Sequence, residues 1–263
     1  MTETTPLDMA HAAMTEHPDD DSARLRFYER LGDNELFLLL IEEAKGDSLS
    51  PEVFDVADGQ FVLAFDRETR LARFTGCPAP YASLSGRVLA QMLAGQGIGI
   101  GLNLDVAPSS ILIPSEALAW LSETLGHAPD EITSRIAEVS PPTGLPEAVI
   151  TALDTKLAMA VGYARAAYLV SVVHENGSHG HMLGFVAARP EAQAALARAA
   201  GEALTFSGIE AGSIDVAFFA ETDGIAAKLD RFGLRFDLPV PPESETIELR
   251  APGSDPDKPP ILR

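Results

Sequence analysis

The stretch Gly95–Leu104, GQGIGIGLNL, decides how the chain is read. Its alternating glycines could form a loop that cradles a phosphate, or a strand with one bare face. A dinucleotide loop needs a strand before its glycines and a helix after them, so that the helix N-terminus faces the pyrophosphate. Here the order is reversed. The preceding SLSGRVLAQMLAG predicts a helix: Ser83 or Ser85 caps it, Val88, Leu89, Met92 and Leu93 form its apolar stripe, and Gly95 stops it. The following IGIGLNL alternates, with Ile98, Ile100, Leu102 and Leu104 facing one way and Gly97, Gly99, Gly101 and Asn103 the other. That pattern predicts a strand whose glycine face admits a close neighbour. We expect packing by an adjoining element there. The alternative is a small-molecule groove lined by Gly99, Gly101, Asn103 and Tyr81, since Asn and Tyr place polar tips beside a bare backbone.

Outward from this strand, the first half reads as helix SARLRFYERL, buried strand NELFLLLIEEA, and hairpin EVFDVADGQFVLAFD turning at Asp58-Gly59. Asp66 is expected to cap the short helix RETRLARF, and TGCPAPYA reads as a loop. Pro114, Ser115 and Glu116 open a helix that carries the only tryptophan, Trp120. The segment HAPDEITSRIAEVSPPTGLPE is rich in proline and reads as a linker. Beyond it come helix EAVITALDTKLAMA, strands ARAAYLVSVVHE and HMLGFVAA around a hairpin turn, helix PEAQAALARAAGEAL, strand SIDVAFFA, helix TDGIAAKLDRFG and a short strand LRFDLP. Each half mixes helices with strands, so the fold class is α+β, in two small domains. The predicted organisation is a flexible arm at 1–24, a first domain at 25–125, a linker at 126–147, a second domain at 148–239 and an acidic, proline-rich disordered tail at 240–263.

The chain has 263 residues and 46% apolar content, enough for one large domain or two small ones. No apolar run reaches the ~18 residues that a membrane helix requires. The N-terminal segment lacks a basic stretch followed by an apolar one, so no secretory signal is read there. One cysteine, Cys77, rules out an intrachain disulfide framework. A cytoplasmic location is the expectation. The formal net charge of −20 opposes binding to nucleic acid and to anionic lipid, and no Lys/Arg cluster offsets it. A protein partner stays open.

Few residues suggest chemistry. His174, His179 and His181 flank a hairpin turn with Glu175. A four-residue turn would set His174 opposite His181, and a two-residue turn would set it opposite His179; either could bring metal-ligating imidazoles together, though a polar hairpin tip needs no metal. Cys77 has no base near it in sequence, the nearest histidine being His127. No nucleophile elbow, His-Glu-x-x-His, Walker loop or Cys-x-x-Cys pair is present. We therefore assign no catalytic residue, no metal site and no cofactor.

Several of these segments carry a family resemblance. FVLAFDRETRLARF, YASLSGRVLAQMLAGQGIGIGLNL, ARAAYLVSV and SIDVAFFAETDGIAAKLDRFGLRFDLP resemble the enhanced serine sensitivity (SseB) family across about residues 25–240. LRFDLP departs from the Pro-Phe-Tyr-like tripeptide that the family often carries at that place. The resemblance implies a bacterial cytoplasmic protein of two α+β domains, without an established catalytic activity, cofactor or active site. It gives no functional residue to carry over. The expectation is a non-enzymatic binding or regulatory protein; the alternative is an enzyme or small-molecule sensor using the glycine-rich strand face at 97–103. The charge reading predicts no salt-sensitive retention on duplex DNA, measured by elution from a DNA column; submicromolar binding at physiological salt contradicts it.

Overall fold

The computed structural model describes residues 4–46, 48–56, 59–126, 136–175, 177–208 and 214–238. Its first domain runs α1 (Pro6–Glu16), α2 (Asp21–Asp33), β1 (Glu35–Leu39), β2 (Val53–Val56), β3 (Gly59–Phe65), α3 (Glu68–Thr75), β4 (Tyr81–Ser85), α4 (Gly86–Leu93), β5 (Ile98–Leu102), β6 (Ile111–Ile113) and α5 (Ser115–Gly126). The strands lie in the order β4-β1-β3-β5-β6, with β2 paired to β3. Only β3 and β5 run parallel; the other neighbours are antiparallel.

The second domain runs β7 (Ile136–Ser140), α6 (Glu147–Leu157), β8 (Ala166–His174), β9 (His179–Val186), a 3-10 turn at Pro190–Ala192, α7 (Gln193–Phe206), β10 (Ile214–Phe219), α8 (Gly224–Phe232) and β11 (Leu234–Asp237). Its sheet order is β10-β9-β8, and β7 and β11 share the far side of β8. The fold is thus α+β, in two small domains with mixed sheets. No described helix is long and apolar enough to cross a membrane.

Both sheets are covered on both faces, which is why their central strands read as nearly continuous apolar runs. In the first domain, Leu36, Leu38, Val62, Ala64, Ile100 and Leu102 pack under α1, α2, α4 and α5. Leu39, Leu63 and Phe65 pack on the opposite face with Leu71 of α3 and Val106. In the second, Ala167, Leu169, Leu183 and Phe185 meet α6 and α7, while Val170, Val172 and Met182 meet α8. The two domains join through their helices. Phe206, at the end of α7, is fully buried in the first domain's core, and its ring meets Trp120 edge-on at 6.2 Å.

The structure corrects several sequence expectations. The predicted flexible arm at 1–24 contains α1, docked rather than loose. Thr5 and Asp8 cap it reciprocally, Pro6 opens it, and Leu7 is fully buried in the core. The predicted linker at 126–147 supplies β7, an outer strand of the second sheet, so that domain begins before residue 148. Residues 127–135 and the predicted tail at 240–263 lie outside the described residues. YASLS forms strand β4 on β1, with only Ser85 acting as the cap of α4. Asp66 does not cap α3; Arg67 stands at the N-cap position, and its side chain does not cap the helix.

Gly95–Leu104 forms a strand, but the alternation stops at Leu102. Asn103 turns the chain at φ 49°, and Leu104 swings back onto the glycine face. A Cβ at Gly99 would lie 2.5 Å from the Ile113 carbonyl oxygen and 2.6 Å from the Phe61 ring. One at Gly101 would lie 2.7 Å from Leu63 and 2.8 Å from Leu104. The glycine face is therefore close-packed, and a side chain has nowhere to go. Valine favours strands by propensity, yet Gly99→Val should cost about 1–3 kcal/mol by overpacking. Urea unfolding checks the sign; a stabilised variant contradicts the packing.

Candidate functional site

The structure separates the residues nominated from the sequence. Gly99 and Gly101 lie on β5, whereas Tyr81 lies on β4, with β1 and β3 between them. Tyr81 is exposed, packs edge-on against Phe37, and sits beside Glu68, whose carboxylate raises its hydroxyl above the usual tyrosine value. Asn103 is fully buried. Its Oδ1 accepts from the Asp66 N–H at 3.1 Å and its Nδ2 donates to Ser109 Oγ at 2.8 Å. The amide thus fixes the turn after β5 against the end of β3, and its polar tip is already engaged.

The histidines also separate. The hairpin pairs Val173 with His179 and Ser171 with His181, a register that neither turn considered from sequence provides. His179 and His181 share one face, where His181 Nε2 lies 2.9 Å from the Thr143 carbonyl. His174 is on the other face, its Nε2 3.3 Å from Asp215 Oδ2. Among the described residues no group of three His, Cys, Asp or Glu side chains is placed to hold a metal.

What Asn103 does lead to is a buried polar cluster that the sequence reading missed. Arg70 Nη1 donates to Asp8 Oδ1 at 3.0 Å and to Asp66 Oδ1 at 2.8 Å, and its Nη2 donates to Asp8 Oδ2. Thr5 Oγ1 donates to Asp66 Oδ2 at 2.7 Å, and Ser109 Oγ donates to Asp8. Four separate segments meet here: the cap of α1, the end of β3, the first turns of α3, and the loop before β6. Burial by itself would push the Asp8 carboxyl up; the bonds from Arg70, Ser109 and the Thr5 N–H outweigh it and hold the group well below the usual carboxylate range. Burial likewise opposes charge on Arg70, and the two carboxylates more than offset that. The sequence signal was the four-residue spacing of Asp66, just before α3, and Arg70 in its first turn. Asp8 and Ser109 come from distant segments and leave no such mark.

The concave surfaces are open. One groove of about 500 Å³ runs past Leu39, Ile41, Phe54, Phe74, Cys77 and Pro80. Another of about 470 Å³ lies between β7 and α8, lined by Glu138, Val139, Lys228, Arg231 and Phe232. Cys77 is an exposed free thiol at the first groove's rim.

No family model matches the chain, no curated protein matches it, and no solved structure matches it.

Arg70→Met should cost about 3–5 kcal/mol, because two carboxylates stay buried without their cation. Chemical denaturation measures it, and a loss below about 1 kcal/mol contradicts the pairing. Since the folded Asp8 carboxyl titrates below its unfolded value, its contribution is complete above about pH 4 and is lost as pH falls further.

Proposed function

We propose that this chain is a non-enzymatic binding or regulatory protein of the bacterial cytoplasm, of the kind its resemblance to the SseB family implies. One observation carries the reading. The charged groups that the fold buries (Asp8, Glu29, Asp66, Arg70, Lys156 and Glu202) are engaged with one another between elements. Catalytic acids and bases instead face a cleft where substrate can reach them. The two grooves described are open and mix apolar with polar lining, a shape that suits a protein partner better than an enclosed small molecule. The formal charge of −20 favours a partner with a basic surface.

The second reading, an enzyme or small-molecule sensor at 97–103, gains no observation in its favour. Its glycine face is filled by Phe61, Leu63 and Leu104, and Asn103 is bonded to Asp66 and Ser109.

Affinity purification from the native host with mass spectrometry tests the proposal. Wild type should retain a stoichiometric protein partner, lost at high salt. Ile41→Glu, in the 500 Å³ groove, should weaken that retention at little cost in stability, because Ile41 is 68% exposed. Turnover of a metabolite by the purified protein, with no partner retained, overturns the reading.

A further inference from the structure

The second sheet has a margin where an end strand faces a helix across an open cleft. β7 pairs with β8 along one edge, and among the described residues no strand pairs with its other edge. α8 lies over the same margin. Its Ala226 and Leu229 share an apolar cluster with Val170 and Val172 of β8, and Val139 of β7 packs against that cluster. A Cβ at Gly233 would lie 2.7 Å from the Leu229 carbonyl oxygen and 2.9 Å from Tyr168 Cβ, so only glycine lets the end of α8 seat this closely on β8. The cleft of about 470 Å³ is lined by three consecutive strand residues, Ala137, Glu138 and Val139, and by Lys228, Arg231 and Phe232 from one flank of the helix.

The strand offers main chain as well as side chains. The ladder between β7 and β8 shifts register between Ile136 and Glu138, and Ala137 is passed over. A bulge of this kind leaves the extra residue outside the ladder. Here that residue lines the cleft. An extended peptide can add to such an edge through main-chain bonds, while alternate side chains are read by the surface beside it.

The charges select what is read. Lys228 and Arg231 are exposed, and neither has a carboxylate within ion-pair distance among the described residues, although acidic residues outnumber basic ones by 39 to 19. By contrast, Arg165 and Arg235 of the same domain hold Glu221 and Asp237. Glu138 is the one acid lining the cleft, and it pairs with neither cation. Phe232 is half-buried, with the Arg231 guanidinium 5.1 Å from the centre of its ring, and Val139 is half-buried opposite.

We infer that the β7/α8 cleft is a docking site for an extended acidic segment of a partner protein. The segment adds to β7 as a further strand, sets carboxylates on Lys228 and Arg231, and lays an apolar side chain against Phe232 and Val139. Charge complementarity favours this occupant, since a basic segment would bring like charge to two cations that lack a counter-charge. The formal charge of −20 acts at longer range, where salt screens exposed charges beyond about 8 Å at physiological ionic strength. The site is separate from the groove at Ile41, where the proposed partner is basic, and neither depends on the other.

A displayed library of random heptapeptides tests the site on the full chain. The library is first depleted on a Lys228→Glu/Arg231→Glu variant, which removes binders of every other surface, and is then panned on wild type. Both residues are exposed, so the variant should unfold in urea at the wild-type midpoint. Enriched peptides should alternate Asp or Glu with apolar residues, and Lys228→Glu alone should weaken their binding by about tenfold or more. Hydrogen exchange on wild type needs no variant: a synthetic copy of an enriched peptide should slow exchange at the amides of residues 137–140. Three results overturn the proposal: no peptide surviving depletion, survivors without acidic residues, or a bound peptide that leaves exchange in β7 unchanged.

Discussion

Lys156 is buried where carboxylates from both domains converge, and the joining of the two domains depends on that convergence. An ammonium group out of water is tolerable only beside opposite charge. Lys156 obtains it from Asp33, across the seam, and from Glu202, on its own domain's neighbouring helix. Burial draws the Lys156 ammonium toward neutrality, and these carboxylates more than reverse the effect. Glu202 in turn is held by Arg87 of the first domain. No member of the set can leave without stranding another. Phe206 adds the apolar half of the same joint by entering the first domain's core. Charge and apolar packing thus bind the domains at one place, and neither is complete within a single domain.

The Arg70 cluster solves the same problem inside the first domain. Its guanidinium presents several donors in a fixed plane, so one side chain can hold two carboxylates on different elements. Asp8 brings α1, and Asp66 brings the end of β3. Ser109 and Asn103 extend the bonding to the turn beyond β5. The N-terminal helix, which has few charges of its own that favour docking, is fixed by a capping box whose second carboxylate oxygen is shared with the core. Buried ion pairs of this type add little net stability compared with apolar packing, but they penalise alternative arrangements strongly. Their role here is to specify which surfaces meet.

These commitments bear on function. A buried titratable group is a candidate for catalysis when it faces a cleft. In this fold the buried groups lie between helices and strands, while the open grooves near Ile41 and near Arg231 carry mostly apolar or solvated side chains. That division is the ground on which the proposed binding role rests.

The sequence by itself determined the elements whose signals are local. The hairpin around β2 and β3, the helix–strand order across α4 and β5, the glycine-face packing and the α+β class follow from periodicity, caps and turn residues, which act over a few neighbouring positions. The short strands β4 and β6 carried too little alternation to register, and β7 lay in a proline-rich stretch whose composition masked its pairing with β8. The reversal of Leu104 came from a left-handed Asn103, whose side chain is held by the Asp66 N–H and by Ser109. Lys156 sits among the buried apolar positions Val149, Leu153 and Leu157 of its helix, an anomaly that marks a buried charge without naming its partners. Only the tertiary structure decided those partners. Pairing a buried charge is a demand on three-dimensional distance, and residues 29, 33, 87, 156 and 202 become neighbours only once both domains are folded and joined.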